Sequence, residues 1–348
     1  MKKTFKRIVV LSFLLLSAVS DSFAISTGQA KIVPFKLDSV PNVKLIQRMW
    51  LVGNRLCFSY DQPKRWGLML RTYLVDEATH SLKYDYEYLS NPAKSNGIDY
   101  PVLFVDSLNR TYIMDRSYPL IFQLDLEKHT MQNSHKFMLS EKAHVPYAMS
   151  MDIPTAYCKS TDEYYFVGRQ PLTGVLGIYH SILDSASLQI SEVNKIVYSK
   201  KYPDWSSNFG KQVFESTTHK VAHGFFLFPA IQIVDLDSKQ SSIVKLAEPN
   251  WAKLKTHVGD VWDQNIMHIK DITSTSSCIY ALWWNKYWAS MDALKKKGKA
   301  NCKIVAISWD GKVKQVYTIP KYVTSIVALA ENKLIGTDGK KFWLITLE

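Results

Sequence analysis

A short polar turn followed by an apolar or aromatic strand recurs six times, and this repeat constrains the fold more than any other feature of the chain. The copies are Asn54-Arg55-Leu56-Cys57-Phe58, Asn109-Arg110-Thr111-Tyr112-Ile113, Asp162-Glu163-Tyr164-Tyr165-Phe166, His219-Lys220-Val221-Ala222, Ser276-Ser277-Cys278-Ile279-Tyr280 and Asn332-Lys333-Leu334-Ile335. Their starts are separated by 55, 53, 57, 57 and 56 residues. Each unit is expected to be an antiparallel meander of four short strands rich in branched and aromatic residues. The second unit shows it best: Val102–Val105, Thr111–Met114, Ile121–Leu126 and Lys136–Leu139. Such a sheet cannot bury both faces alone, but six packed radially can. The expected fold is all-β, a six-bladed β-propeller. Long helical stretches, which a parallel α/β fold needs, are missing; one short helix is expected near Ser290–Lys297.

Both ends of the chain bear on closure. The third strand of the units is read as ending at an acidic turn, at Asp76-Glu77, Glu127, Asp184, Asp237-Ser238 and Asp310-Gly311. In the last unit that strand is Phe342–Leu347, and its fourth strand is missing. Ile32–Leu37 resembles the fourth strand Ser242–Leu246, so it is expected to complete the last blade and remove an open sheet edge. Before it, Lys2, Lys3, Lys6 and Arg7 precede an apolar run from Ile8 to Val19, with Ser22 and Ala24 at −3 and −1 of a cleavage site. The run is short of the roughly 20 residues that cross a bilayer. Residues 1–24 are therefore expected to be a cleaved signal peptide and 25–348 one propeller domain, periplasmic or secreted, with no transmembrane segment.

Formal charge falls from +12 to +9 when the leader, with four basic residues and Asp21, is removed. That favours anionic neighbours such as acidic glycans, lipid head groups or acidic proteins, while export argues against nucleic acid. The cysteines Cys57, Cys158, Cys278 and Cys302 form no CxxC pair and no disulfide framework, and are expected to be mostly free thiols. No lipidation cysteine precedes Cys57, and a monomer is expected.

In the last third, Cys278-Ile279-Tyr280-Ala281-Leu282 is followed by Ile304-Val305-Ala306-Ile307-Ser308-Trp309-Asp310-Gly311-Lys312 and then Tyr317-Thr318-Ile319-Pro320. This stretch, roughly residues 270–348, resembles the TolB-like six-bladed propeller family of exported Gram-negative proteins; earlier residues resemble it only in architecture. The resemblance implies a fold and a compartment, and no reaction or catalytic residues. Many members look like lipoproteins, and surface anchoring does not carry over to a chain without the lipidated cysteine.

Strand alternation sorts the connections. First-to-second and third-to-fourth turns share one face and are tight; second-to-third and fourth-to-first connections share the other and are long, where binding groups tend to sit. On the long-loop face Arg65, Trp66, Arg169, Trp205, Trp262 and Trp288 are the candidate ligand-binding residues, because indole rings beside cationic groups are enriched at binding hot spots. Lys64, Tyr202, Asn208, Trp251, His257, Asp263 and the run Lys295–Lys299 share these loops. The competing expectation is that the rings pack down onto the rim. The expected function is a non-catalytic envelope binding or scaffold propeller for a protein or glycan, with no cofactor. The alternative is a metal-dependent hydrolase or lactonase with Glu215 and Asp271 in a central channel, Asn208 and Asn265 nearby. No GxSxG, HExxH, P-loop or GxGxxG arrangement occurs. His219 and His223, four apart, would share a strand face but lack a third ligand.

Overall fold

The computed structural model describes residues 27–39, 45–61, 68–88, 101–105, 110–115, 120–136, 147–148, 156–160, 163–170, 173–183, 188–255 and 264–348. The protein is all-β and propeller-like. Its strands follow one another as antiparallel meanders. The first holds β3 (Leu45–Val52), β4 (Arg55–Asp61), β5 (Leu68–Asp76) and β6 (Ser81–Tyr88); the second β7 (Pro101–Val105), β8 (Thr111–Asp115), β9 (Leu120–Asp125) and β10 (Thr130–Lys136). The third holds β12 (Ala156–Ser160), β13 (Glu163–Arg169), β14 (Leu176–Leu183) and β15 (Leu188–Lys195), with the two-residue β11 (Tyr147–Ala148) also on β13. The fourth holds β16 (Gly210–Glu215), β17 (Lys220–Phe225), β18 (Ala230–Asp235) and β19 (Ser241–Lys245); the fifth β20 (Ile266–Ser274), β21 (Cys278–Tyr287), β22 (Cys302–Ser308) and β23 (Val313–Ile319). The last has β24 (Ser325–Ala330), β25 (Lys333–Thr337) and β26 (Phe342–Leu347), and a helix α1 (Trp288–Lys296) joins β21 to β22. In the second meander the fourth strand is Thr130–Lys136, earlier in the chain than the expected Lys136–Leu139, because the turn closes at Asp125.

Alternation explains why these strands read as nearly continuous apolar runs. In β4, Leu56, Cys57, Phe58, Ser59 and Tyr60 are all buried. Leu56, Phe58 and Tyr60 pack with Phe342, Leu344 and Ile335 of the last meander. Cys57, pointing the other way, packs with Leu103, Ile113 and Phe122 of the second. A sheet sandwiched between two others needs apolar side chains on both faces. The first strands of neighbouring meanders touch: β16 and β20, β20 and β24, β3 and β7, β7 and β12, while the contact of β24 with β3 joins the last meander to the first.

The N-terminal strand is β1 (Thr27–Pro34), and it pairs antiparallel with β26 from Ala30↔Leu347 to Pro34↔Trp343. The expected span, Ile32–Leu37, is thus shifted: after buried Phe35, β2 (Lys36–Leu37) leaves that sheet and joins β6 in parallel. The start of β1 also pairs in parallel with β23, from Thr27↔Val316 to Gln29↔Thr318. A Cβ on Gly28 would lie 2.7 Å from the Glu348 backbone carbonyl oxygen and 2.7 Å from the Tyr317 ring, so glycine suits this close approach. Pairing on both edges fuses the last two meanders into one eight-stranded sheet, so the described residues form five hydrogen-bonded sheets where six separate ones were expected.

The tight turns follow a common design. An acidic residue closes a strand, its carboxylate accepts backbone N–H groups two and three residues on, and the fifth residue turns left-handed. Asp76 accepts from Thr79 and leads to His80 at φ 49°; Asp125 accepts from Glu127 and Lys128 and leads to His129 at 54°; Asp235 accepts from Ser238 and leads to Lys239 at 59°. The capping acids are thus Asp76, Asp125 and Asp235, slightly earlier than the acidic turns expected at Glu127 and Asp237. Hydrogen bonds from Thr79 hold Asp76, and from Lys128 hold Asp125, below the usual carboxylate range. In the Trp309-Asp310-Gly311 turn, Gly311 takes φ 88°, Trp309 Nε1 donates to the Thr275 carbonyl, and bonds from Ser308 and Lys312 bring Asp310 down to about 2. Among the described residues no helix is long and apolar enough to cross a membrane.

Candidate functional site: an aromatic cleft on the long-loop face

The β17–β18 turn, the β19–β20 connection and the end of β21 come together on the long-loop face, between the fourth and fifth meanders. They border a shallow cleft that is open to solvent. Leu227 and Phe228 form one wall, the segment Pro249–Leu254 another, and Asn265, Ile266, His268 and Tyr287 the floor and far side. Asn265 fixes the loop, accepting from the Lys255 N–H and donating to the Lys255 carbonyl, both at 2.8 Å. The wall before it is held by Leu246, whose N–H donates to the Pro229 carbonyl at 2.8 Å.

Trp251 lines the cleft and is 42% exposed, whereas Phe228 beside it is fully buried. The Trp251 ring is nearly parallel to that of Tyr202 (13°, centroids 5.9 Å apart) and lies 5.9 Å from both Tyr198 and Phe228. Tyr198 itself stacks on Phe228 at 4.4 Å, and the Lys201 ammonium lies 5.4 Å from the Tyr202 ring. The buried Phe228 and half-buried Tyr198 therefore back the half-buried Tyr202 and exposed Trp251. At the floor, the ladder between β20 and β21 shifts register on either side of Ile269, which sets His268 and Lys270 at irregular positions. The His268 N–H donates to the Phe226 carbonyl at 2.7 Å, tying β20 to the fourth meander. Burial pushes the His268 imidazole down to about 4, opposed by a hydrogen bond to the Asn285 side chain, and its Nδ1 has no hydrogen-bond partner.

The six residues singled out in the sequence do not converge on one point. Arg169 and Trp205 meet: the guanidinium lies 5.6 Å from the indole, and the Trp205 N–H donates to the Gly174 carbonyl at 3.1 Å. Trp205 is half-buried and edge-on to Phe209, so packing onto the rim accounts for much of its ring. Trp288, at the start of α1, is also half-buried; it packs edge-on to Trp284, and the buried Lys270 ammonium sits 4.2 Å from its ring. Arg65, Trp66 and Trp262 lie outside the described residues, as do Lys64, His257 and Asp263. Within the lysine run, Lys295 lies over the Tyr322 ring at 4.4 Å. Trp251 belonged to the long loops in the sequence, yet nothing there separates an exposed indole from a packed one. His268 carried no signal at all in the sequence, because its surroundings come from other strands.

The carboxylates of the alternative reading serve the fold. Glu215 is the acid of another tight turn, accepting from the Thr217 and Thr218 N–H groups and the Thr218 hydroxyl, with His219 left-handed at 49°. Burial would raise its pKa, but the bonds from Thr218 and Thr217 prevail and lower it. Asp271, 2% exposed, accepts from the Ser325 hydroxyl and the Ile326 N–H and lies 3.5 Å from the Lys211 ammonium, joining β16, β20 and β24. Asn208 and Asn265 clasp loop backbone: Asn208 accepts from the Tyr198 N–H and donates to the Tyr202 and Asp204 carbonyls. His219 sits in the turn and bonds Asp237, while His223 is buried in β17, so the two do not share a strand face. Among the described residues no group of three His, Cys, Asp or Glu side chains is placed to hold a metal ion. Cys57, Cys278 and Cys302 are free and buried; the Cys158 side chain lies outside the description.

No protein-family model matches the chain. No curated protein matches it. Among solved structures it is similar to a member of the DUF4221 family from Bacteroides vulgatus, at 10% identity over 93% of this chain and 97% of that one, with a TM-score of 0.54. It is similar to a protein of unknown function from Bacteroides thetaiotaomicron, at 8% identity over 92% and 76%, with a TM-score of 0.51. An auxiliary nutrient binding protein from Bacteroides thetaiotaomicron aligns at 11% identity over 92% and 77%, with a TM-score of 0.49. At such identities the likeness speaks for the fold alone, and the fold that the first two share with this chain is a β-propeller.

Proposed function

We propose that this chain is a non-catalytic binding propeller that holds a protein or glycan ligand on its long-loop face. The observation that carries this reading is the cleft between the fourth and fifth meanders, lined by the exposed Trp251 beside buried Phe228. Large rings with one face in solvent and the other braced by packing are the usual anchors of binding surfaces. Arg65, Trp66, Arg169, Trp205, Trp262 and Trp288 belong to the same proposed face.

The six meanders are proposed as six blades, on the even repeat spacing and the contact of β24 with β3. The proposal extends to a cleaved leader over residues 1–24, a single domain from 25 to 348, a TolB-like relationship, and action as a monomer in the periplasm or outside the cell. Photo-crosslinking tests the working face. A benzophenone amino acid at Asn250 or Trp251 should yield crosslinked envelope material in the native cells, and one at Asn54 or Asp310, on the tight-turn face, should yield none. The reverse pattern overturns the assignment.

A further inference from the structure

We propose that the surface around helix α1 docks on the anionic headgroups of a phospholipid leaflet, through lysines that three separate connections bring together. This goes beyond the ligand-binding reading and rests on residues other than those of the cleft. The connections are β21–β22, which contains α1, β23–β24 and β25–β26, all of the long-loop set. Their contacts place them side by side. The Tyr322 hydroxyl donates to Asp292 of α1 at 3.0 Å, and the Lys295 ammonium lies 4.4 Å from the Tyr322 ring and 4.0 Å from the Asp338 carboxylate. Around this junction Lys296, Lys297, Lys299, Lys321, Lys340 and Lys341 are all exposed.

Backbone hydrogen bonds fix the segments that carry these lysines. α1 ends at a left-handed Gly298 (φ 66°), where the Lys299 N–H donates to the Leu294 carbonyl at 2.9 Å and the Gly298 N–H to that of Lys295 at 3.0 Å. In the β25–β26 turn Gly339 takes φ 94°, and Asp338 accepts from the N–H groups of Lys340 and Lys341 at 2.9 and 2.8 Å. Asp292 and Asp338 are thus engaged, and among the described residues none of the six ammonium groups has an ion-pair partner. The tight turns differ: there Lys128 pairs with Asp125, Lys312 with Asp310 and Lys333 with Glu77, at 3.3, 2.9 and 3.0 Å. The dipole of α1 favours cations at its own C-terminus, which accounts for Lys295 and Lys296 and not for Lys321, Lys340 or Lys341 in other connections.

The kind of charge and its layout select the partner. Every cation here is a lysine, a compact point charge that meets phosphates at any angle, whereas recognition of one phosphate in fixed geometry favours the fork of arginine. The six come from a helix end, a loop and a turn on two meanders, not from one strand or groove that a single polymer chain could follow. A fluid leaflet lets anionic headgroups gather beneath cations at such unequal positions, and clusters of about four to eight lysines bind an anionic leaflet electrostatically. Among the described residues the exposed large apolar side chains lie on other elements: Tyr84, Tyr86, Met131, Ile182, Ile243 and Trp251. Contact is therefore with headgroups alone, reversible and weakened by salt.

The test is co-sedimentation of the protein, in the form its cells produce, with vesicles of phosphatidylcholine alone or mixed with phosphatidylglycerol. It should sediment with the mixed vesicles at low salt, not with the neutral ones, and be released by high salt. One variant carries Lys296→Gln, Lys297→Gln and Lys299→Gln, a second Lys321→Gln, Lys340→Gln and Lys341→Gln. Each should weaken binding about hundredfold with Tm unchanged. A third, with Lys128→Gln, Lys239→Gln and Lys314→Gln on the tight turns, loses the same net charge and should bind as the natural protein does. An equal loss in the third variant would assign the effect to net charge and overturn the surface. Full binding by either of the first two overturns the joint patch. Sedimentation with neither vesicle, or capture by dextran sulfate without it, overturns the leaflet as partner. Crosslinking through Trp251 reads the cleft separately, so either reading can fail alone.

Discussion

Acid should destabilise this protein through its buried imidazoles, of which His223 is the more strongly shifted and His268 the less. His223 lies on β17, 1% exposed, with Nδ1 2.8 Å from the Gln212 amide nitrogen and Nε2 2.9 Å from the Asn208 carbonyl. Those partners fix a neutral ring: Nε2–H donates to Asn208, and Nδ1 accepts from Gln212. Burial brings its pKa from 6.5 to about 3, with the Asn208 bond opposing. The unfolded imidazole takes a proton near 6.5 and the folded one only near 3, so the unfolded state binds more protons across that window. Stability is therefore complete above 6.5 and is lost as pH falls. By linkage the loss is about 2 kcal/mol at pH 5 and roughly 4–5 kcal/mol toward pH 3. Urea denaturation at pH 7.5 and pH 5 of the natural protein and His223→Gln measures it. Whatever the variant's starting stability, its decline between the two pH values should be smaller by about 2 kcal/mol. Equal declines would show that the imidazole is not held neutral, and would refute the reasoning.

Removing residues 25–38 takes away β1 and buried Phe35 and opens the edge of β26, so Tm should fall and aggregation rise; an unchanged Tm counts against closure by this strand. Phe35→Ala alone should cost about 3–5 kcal/mol in chemical denaturation, since its ring packs in the cluster with Phe58, Tyr73 and Phe342. Asp271→Ala should cost roughly 3–5 kcal/mol, because Lys211 stays buried without that carboxylate; a change under 1 kcal/mol would show that the pair is weakly coupled. Cys57 and Cys302 are pushed up to about 12 by burial, so neither should react with a thiol reagent at pH 8 until the protein unfolds; labelling of the native state would contradict their placement.

The sequence by itself determined that the chain is all-β, built from meanders at an even spacing, with its first strand paired to its last. The strands and turns are local features: alternation and turn chemistry act over a few residues, so β4, β21 and the turn at Asp310 were legible without coordinates, and the closing pair followed from counting strands in the repeat. Only the tertiary structure decided where β1 begins and ends, because its span depends on Gly28 approaching β23 and on Phe35 seating beside Phe342. Glu215 is the same kind of case. As a letter it is equally a metal ligand or a turn cap, and the N–H groups of Thr217 and Thr218 settle its work in the fold. The cleft was least legible of all. Trp205, Trp251 and Trp288 are alike in sequence, and their exposure depends on which residues from other meanders stand behind each ring. His268 sits where β20 slips against β21, and its backbone N–H reaches Phe226 of the fourth meander, a long-range arrangement that leaves no local pattern to read.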